Sequence, residues 1–266
     1  MSSSAMHIAR TGLDAQDMRM RVISNNLANV NTTGFKKDRA AFETLAYQTV
    51  TTPGTQSTAE TKYATGLNLG TGVRIQGTAR MDTQGAMQTT GNSLDLALDG
   101  DGYFQVQMPG GTLGYTRAGN FSRSAEGLLV TSEGYQVQPG ITVPEGTTGI
   151  TIGRDGTVSA MVPGQTEASQ IGQIQVASFP NGAGLQATGD NYLIETAASG
   201  AANVGVAGQD GRGGIKQGML EASNVNVVEE LVDMIENQRS YEVLANMMKS
   251  AKEIDESGAS LMCLPS

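Results

Sequence analysis

Two long segments at opposite ends of the chain carry apolar residues at alternating spacings of three and four. In residues 4–31 the repeat has one polar member, Gln16. This spacing predicts an amphipathic helix with a coiled-coil-like seam. We expect the helix to end before Gly34, a natural left-handed stop. The seam positions are Met6, Ala9, Leu13, Gln16, Met20, Ile23, Leu27 and Val30.

The carboxyl-terminal segment begins with its own helix signal. Asn226 is a good N-cap residue, and Glu229, three residues later, completes a capping-box pattern. Gly258 and Pro265 mark where this second helix is expected to fail. Its seam positions are Val227, Leu231, Met234, Gln238, Tyr241, Ala245 and Met248.

Neither predicted helix can bury its seam alone, so each needs a partner. Residues 1–62 carry seven basic and five acidic residues, whereas residues 216–266 carry four basic and nine acidic residues. Opposite charge favours pairing of the two ends, within one chain or between copies. The spacing leaves open a simpler alternative, a helical hairpin inside an ordinary globular core.

The middle of the chain has the pattern of strands. Leu94, Leu96 and Leu98 alternate with other residues at a period of two. Glycine-rich turns separate further short segments, and no βαβ rhythm is present, so we predict an antiparallel β domain in an α+β protein. These further strands are predicted over 103–106, 128–131, 135–138, 150–152, 158–161, 174–179 and 192–195.

The predicted elements divide the chain into three parts. Residues 49–65 are rich in Thr, Ser, Gly and Gln without strong periodicity, which indicates an extended arm or loop. The predicted parts are a terminal helical domain from 1–34 with 224–266, a linking arm and extended loop region over 35–92, and a β-rich outer domain over 93–223.

Composition removes several classes of function. Among 266 residues, 17 Lys and Arg stand against 26 Asp and Glu, so no nucleic-acid partner is expected. One His and one Cys cannot form a Cys/His zinc cluster or an intrachain disulfide. No signal peptide and no apolar run of about 20 residues are visible. We therefore expect no direct membrane insertion, and a cytoplasmic location unless export needs no cleaved signal.

Candidate chemistry is sparse. Asp95, Asp99 and Asp101 could suggest a Ca²⁺ site or a glycosidase pair, but their spacing does not fit an EF-hand and turn aspartates are the better interpretation. His7 and Cys263 are expected to be idle. We predict no catalytic, cofactor-binding or metal site, and no enzyme. The alternatives are a β-rich surface adhesin or tail-fibre module and a polysaccharide-acting enzyme, and neither explains the matched terminal helices.

Several motifs resemble one protein family. Residues 24–36, SNNLANVNTTGFK, resemble the amino-terminal signature of bacterial flagellar rod and hook proteins, and residues 223–232, SNVNVVEELV, resemble its carboxyl-terminal counterpart. Between them, GYFQV at 102–106 and YTRAGNF at 115–121 resemble the shared β segment. The motif residues are Asn25, Asn26, Asn29, Gly34, Phe35, Asn224, Asn226, Glu229, Gln238 and Arg239.

Within this family, residues 42–49 and 66–73 resemble the distal-rod members. Hook proteins and proximal rod proteins are the alternatives. A hook protein usually carries an additional outer domain, for which 266 residues leave little room. The last ten residues depart from the family's usual amphipathic ending.

The resemblance implies a tubular drive shaft that carries torque from motor to hook and forms part of the export channel. Terminal helices would line the tube, with β domains outside. The implied location is the flagellar basal body in the periplasm, reached by type III export without a cleaved signal. Implied partners are other copies of the chain, other rod proteins, the hook protein, the P-ring and L-ring proteins and the export apparatus. The expected assembly interface comprises Met6, Leu13, Met20, Ile23, Leu27, Val30, Val227, Leu231, Met234, Tyr241 and Met248.

Overall fold

The computed structural model describes residues 2–56, 64–162 and 168–262. Within these residues the protein is α+β, with one helix near each end and an antiparallel, strand-rich middle. Contacts group the chain into two compact units. The first comprises Met1–Leu27, Asp38–Ala79 and Val227–Ser266, and the second comprises Ala28–Lys37 and Arg80–Asn226.

The first unit contains both helices. Helix α1 spans Ser2–Ala28 and helix α2 spans Val227–Met262. Asn226 immediately precedes α2, as the capping pattern predicts, and Gly34 has the predicted positive φ of 69°. The predicted stop at Gly258 is wrong, because α2 continues through it. A single helical glycine costs only about 1 kcal/mol relative to alanine, which does not end a helix by itself.

A long two-stranded ribbon completes the first unit. Strand β1, Asp38–Thr44, pairs with β4, Val73–Arg80. Between β1 and β4 along the chain, strand β2, Tyr47–Thr51, pairs antiparallel with β3, Leu67–Gly70. Part of the predicted loop region is therefore strand. The sequence pattern did not show it because both faces of this ribbon are largely exposed, so polar and apolar residues need not alternate.

The second unit is built from sixteen strands in its described residues. The largest sheet runs in the order β16-β17-β8-β7-β11-β10-β9, and β15 joins β7 to β18. The strands are β5 Met87–Thr89, β6 Leu96–Asp99, β7 Tyr103–Gln107, β8 Leu113–Thr116, β9 Ser122–Arg123, β10 Leu129–Val130, β11 Gln136–Val137, β12 Gly149–Ile152, β13 Thr157–Met161, β14 Ser169–Gln173, β15 Gln175–Ser178, β16 Gln186–Gly189, β17 Tyr192–Ile194, β18 Asn203–Val206, β19 Gly214–Gln217 and β20 Met219–Glu221.

The core of the second unit lies between these strands. Phe104 and Phe121 meet edge to face at its centre, with ring centroids 5.1 Å apart. Strand β6 differs from the predicted alternation, because Leu96, Ala97 and Leu98 are all buried. Each of the other predicted strands overlaps an observed one. Among the described residues, neither helix has the length and apolarity that a membrane span requires.

Candidate functional site

In the first unit, Asn26 joins three elements of the structure. Its side-chain Nδ2 donates to the backbone oxygen of Asp38 at 2.9 Å and to Glu230 Oε2 at 3.2 Å. Its Oδ1 accepts a hydrogen bond from the Asp38 backbone nitrogen at 3.0 Å. Because Asn26 is buried, these bonds are shielded from water and hold α1, α2 and β1 together.

Two further polar contacts connect the helices. Asn237 Nδ2 donates to the backbone oxygen of Gln16 at 2.9 Å. Arg19 Nη2 lies 3.4 Å from Asp233 Oδ1, in an ion pair that is partly exposed. The residue numbers of the contacting positions increase along α1 while those of their partners decrease along α2. The two helices therefore run antiparallel where they touch.

The predicted seam positions in α1 and in the turn after it are partly or fully buried within the chain. Ile23 is buried, and Met6, Leu13, Met20, Leu27 and Val30 are half-buried.

The predicted seam of α2 is not the face that contacts α1. Glu230, Asn237 and Leu244 lie one residue away from the predicted positions and face α1 instead. In the single chain Met234 is half-buried, whereas Val227, Leu231, Tyr241 and Met248 are exposed. The prediction left open whether the seam packs on α1 or on another copy, and the contacts with α1 include hydrogen bonds that an apolar pattern does not mark. The role of the predicted positions in assembly stays a prediction.

Helix α2 also presents a second apolar surface, which we call the outer stripe. Its members are separated by three, four, seven or eight residues, so they follow one side of the helix. Each is between 50% and 69% exposed. The outer stripe comprises Val228, Val232, Ile235, Val243, Met247 and Ile254.

The second unit contains a buried charge cluster centred on Glu221. Lys36 Nζ donates to Glu221 Oε1 at 2.6 Å, and the Gly85 backbone nitrogen donates to the same oxygen at 2.9 Å. Arg117 Nη1 lies 3.4 Å from Glu221 Oε2. Glu221 is 1% exposed, so the cluster joins the amino-terminal motif, the central β segment and the last strand in a site closed to solvent.

Two cations share this one carboxylate. Burial lowers the pKa of the Lys36 amino group, and repulsion from Arg117 adds to this, while the hydrogen bond to Glu221 opposes it. Lys36 Nζ also donates to the backbone oxygen of Thr83 at 2.8 Å, and Arg117 Nη2 donates to that of Gly100 at 2.7 Å. These backbone acceptors supply part of the solvation that burial removes.

The motif residues Gly34 and Asn224 close the same junction. The Gly34 nitrogen donates to the Glu221 backbone oxygen at 2.8 Å. A Cβ on Gly34 would lie 2.6 Å from the backbone carbon of Arg117, so the position requires glycine for both space and positive φ. Asn224 Oδ1 accepts from the Lys37 nitrogen at 2.7 Å, and its Nδ2 donates to the Met81 oxygen at 2.8 Å.

We expect Glu221→Leu to destabilise the second unit by about 3–5 kcal/mol, because it leaves two buried cations without a carboxylate. The measurement is the free energy of unfolding of the purified chain in urea. The matched control is Glu43→Leu, which removes an exposed ion pair with Arg74 and should cost less than about 1 kcal/mol. Equal losses from the two variants would contradict a structural role for the cluster.

The other motif residues are distributed around these junctions. Asn29 Oδ1 accepts a hydrogen bond from Thr32 Oγ1 at 3.1 Å, and Phe35 accepts one from the Asn224 nitrogen through its backbone oxygen. Glu229 lies in the first turn of α2, where a negative charge favours the helix dipole. Asn25, Gln238 and Arg239 are exposed.

The motif list omitted Lys36, Arg117, Glu221, Glu230 and Asn237. Lys36, Arg117 and Glu230 lie inside the quoted motifs, so those motifs were a usable signal. No comparable signal marks Glu221 or Asn237, since an isolated polar residue in a sequence does not reveal its own burial.

The sequence-predicted chemical candidates lie apart from these junctions. Asp95 accepts hydrogen bonds from Thr90 Oγ1 and Asn92 Nδ2, within its own turn. Asp99 pairs with Lys216 at 2.9 Å, and that hydrogen bond lowers the pKa of Asp99. His7 is exposed on α1, and Cys263 lies outside the described residues. The described part of the chain holds no cluster of three or more His, Cys, Asp or Glu side chains that could bind a metal ion.

Comparison with known proteins matches the same segments. Three family models match: "Flagella basal body rod protein" over residues 6–36, "Flagellar hook protein FlgE/F/G D1 domain" over 97–160, and "Flagellar basal body rod FlgEFG protein C-terminal" over 216–261. The first and last contain the terminal motifs.

Curated relatives extend the match to almost the whole chain. The flagellar basal-body rod protein FlgG of Buchnera aphidicola is 46% identical over 94% of this chain and 96% of its own length. FlgG of Caulobacter vibrioides is 44% identical over the same shares. FlgF of Caulobacter vibrioides is 35% identical over 89% of this chain and 88% of its own length. The chain therefore belongs to the flagellar basal-body rod protein family and is a structural subunit of the rod in the flagellar basal body.

Proposed function

We propose that copies of this chain polymerise into the tubular distal segment of the rod, which carries torque from the motor to the hook. The greater similarity to FlgG than to FlgF of the same bacterium supports the distal assignment. The helices would pair in a coiled-coil-like inner layer lining the export channel, and the β domains would form the outer layer.

The exposed apolar surface of α2 is the observation that carries this proposal. Among its described side chains, ten large apolar residues of this helix are exposed in the single chain. A helix surface of this kind is costly in water and marks an interaction site. Packing against neighbouring copies removes the apolar area from water, and repetition of the same contact generates a helical tube.

The composition of the chain suits a shaft that turns inside a ring. Charged residues make up 16% of the sequence, against a usual 25% or so. Few charges mean few specific ion pairs with a surrounding P ring or L ring, and therefore little resistance to rotation. The other proposed partners are further rod proteins, the hook protein and the type III export apparatus, which would deliver the chain to the periplasm without a cleaved signal.

Electron microscopy of the purified full-length chain tests this proposal directly. We expect straight tubes of uniform diameter to form as the protein concentration is raised. A chain that stays monomeric or forms closed small oligomers at every concentration would contradict the proposal.

In the free monomer, we expect the terminal helices to be largely unfolded. Isolated helices gain most of their stability from packing, and much of the apolar surface of α2 has no packing partner in the single chain. Hydrogen exchange measured on a proven monomer should show rapid exchange of amides in residues 13–27. Strands β6 and β7 are the internal reference, because their buried amides should exchange slowly. Strong protection across residues 13–27 would contradict this prediction.

A further inference from the structure

The contacts between α1 and α2 include a buried polar layer. Asn237 is 1% exposed, and its Nδ2 donates to the Gln16 backbone oxygen. Glu230 is also buried and accepts from Asn26 Nδ2. Next to the layer, a Cβ on Gly12 would lie 3.2 Å from Leu244 Cδ1, so the helices approach closely there.

This layer is not the arrangement that would best stabilise a helix pair. Gln16 Oε1 and Asn237 Oδ1 are buried without a hydrogen-bond partner in the described chain. A partly satisfied polar layer costs stability that an apolar layer would retain. Buried polar groups retained at such a cost serve, in some helical assemblies, to select one register among several.

Register is the quantity that these bonds constrain. Sliding α2 along α1 by one heptad moves Asn237 by about 10 Å. Glu230 then loses the Asn26 side chain, and Asn237 comes to face the buried apolar residue Ala9 or Ile23 instead of Gln16. The polar layer therefore penalises every slipped register.

We propose that Asn237, supported by the Asn26–Glu230 pair, sets the register of α2 against α1. The register fixes where the outer stripe of α2 lies along α1. Neighbouring copies then meet one arrangement of the paired helices and not a mixture. Asn237 is thus a positioning residue: it contacts α1 of its own chain and acts on assembly through the placement of α2.

Disulfide trapping in assembled polymers measures the register. All variants carry Cys263→Ser, which removes the only native cysteine. The pair Gly12→Cys with Leu244→Cys reports the observed register, and Gly12→Cys with Ala251→Cys reports a slip of one heptad. Intrachain disulfides are quantified by the mobility of the monomer band on non-reducing gels, which separates them from disulfides between copies.

With Asn237 present, we expect the observed-register pair to form at least about ten times more intrachain disulfide than the slipped pair. With Asn237→Leu, we expect that ratio to fall by at least about fivefold. Asn246→Leu is the matched control, because it makes the same change at an exposed position of α2. A ratio in Asn237→Leu equal to that in Asn246→Leu would overturn the proposal.

A second variant tests the proposal if Asn237→Leu does not polymerise. Asn237→Ala removes the amide without adding bulk and favours helix, and the same fall in ratio is expected. If neither variant polymerises while Asn246→Leu does, Asn237 is needed for the helix pair itself and the register proposal is overturned. Polymerisation of the parent chain is scored separately, so failure of the proposed function is distinguished from failure of this inference.

Discussion

Leu231→Asp is expected to abolish polymerisation while leaving the folded chain intact. Leu231 is 42% exposed in the single chain, so a carboxylate there costs the monomer little. In the tube we expect Leu231 to be buried against a neighbouring copy. An unpaired buried charge costs several kcal/mol, and every 1.4 kcal/mol or so weakens association tenfold. The concentration needed for tube formation should therefore rise at least about 100-fold.

The measurement is the fraction of protein pelleted with tubes across a concentration series. Leu231→Met is the matched control, because it keeps an apolar side chain of similar volume and should polymerise normally. Circular dichroism and urea unfolding show whether the β strands of Leu231→Asp keep their native stability. Normal tubes from Leu231→Asp would remove this position from the assembly contact.

Leu27→Asp should have the same effect on assembly by a less direct route. Leu27 is half-buried within the chain, so the new charge also opposes the packing of α1 when the helices fold during assembly. Comparison of the two variants separates a contact between copies from support of the helix itself. At concentrations where the parent chain assembles, a smaller gain of helical signal is expected from Leu27→Asp than from Leu231→Asp.

The spacing of apolar residues predicted the two helices, because a long seam at the helical period is a strong local signal. Asn226 marked the start of α2, and Gly34 marked the turn that follows α1 after Ala28, because the conformational preferences of these residues are local. Eight of the sixteen described strands of the second unit were also predictable from apolar segments between glycine turns. In each case the information lies within a few residues of the chain.

The features that were not predictable depend on long-range contacts. Asn237 and Glu221 are polar, and their burial follows from partners more than 180 residues away in sequence. The part of the ribbon formed by β2 and β3 was predicted as arm or loop, because a strand without a buried face has no periodic pattern of apolar residues. The face of α2 that lies on α1 was not marked by the apolar pattern, because Glu230 and Asn237 contact α1 through hydrogen bonds.

Deleting residues 51–65 is expected to turn a straight, stiff tube into a more bendable one. The deletion starts at the last residue of β2 and ends just before β3. It leaves a short connection between Thr49 and Asn68, which are paired across the ribbon. The rest of the ribbon, both helices and the second unit should keep their structure. Residues 57–63 lie outside the described residues.

The physical reason is that bending a tube makes neighbouring rows of subunits slide past each other. The ribbon exposes Tyr47, Leu67 and Leu69, and an isolated two-stranded hairpin is at best marginally stable in water. We therefore expect the ribbon to rest on a neighbouring copy, where it adds contacts that sliding must break. Thr, Gln and Gly in the connecting segment can hydrogen-bond to a neighbouring backbone without burying charge.

Electron micrographs of the assembled polymers give the persistence length, which we expect to fall severalfold after the deletion. A companion variant, Leu67→Ser with Leu69→Ser, keeps the ribbon's length but removes apolar contact. Its persistence length should also fall. Leu113→Ser is the matched control, since Leu113 is an exposed leucine of the second unit, and it should leave the tube stiff. An unchanged straight tube after the deletion would refute the stiffening role. Complete failure to assemble would show that the ribbon contributes to the subunit contact itself, because the helices alone then cannot hold the tube together.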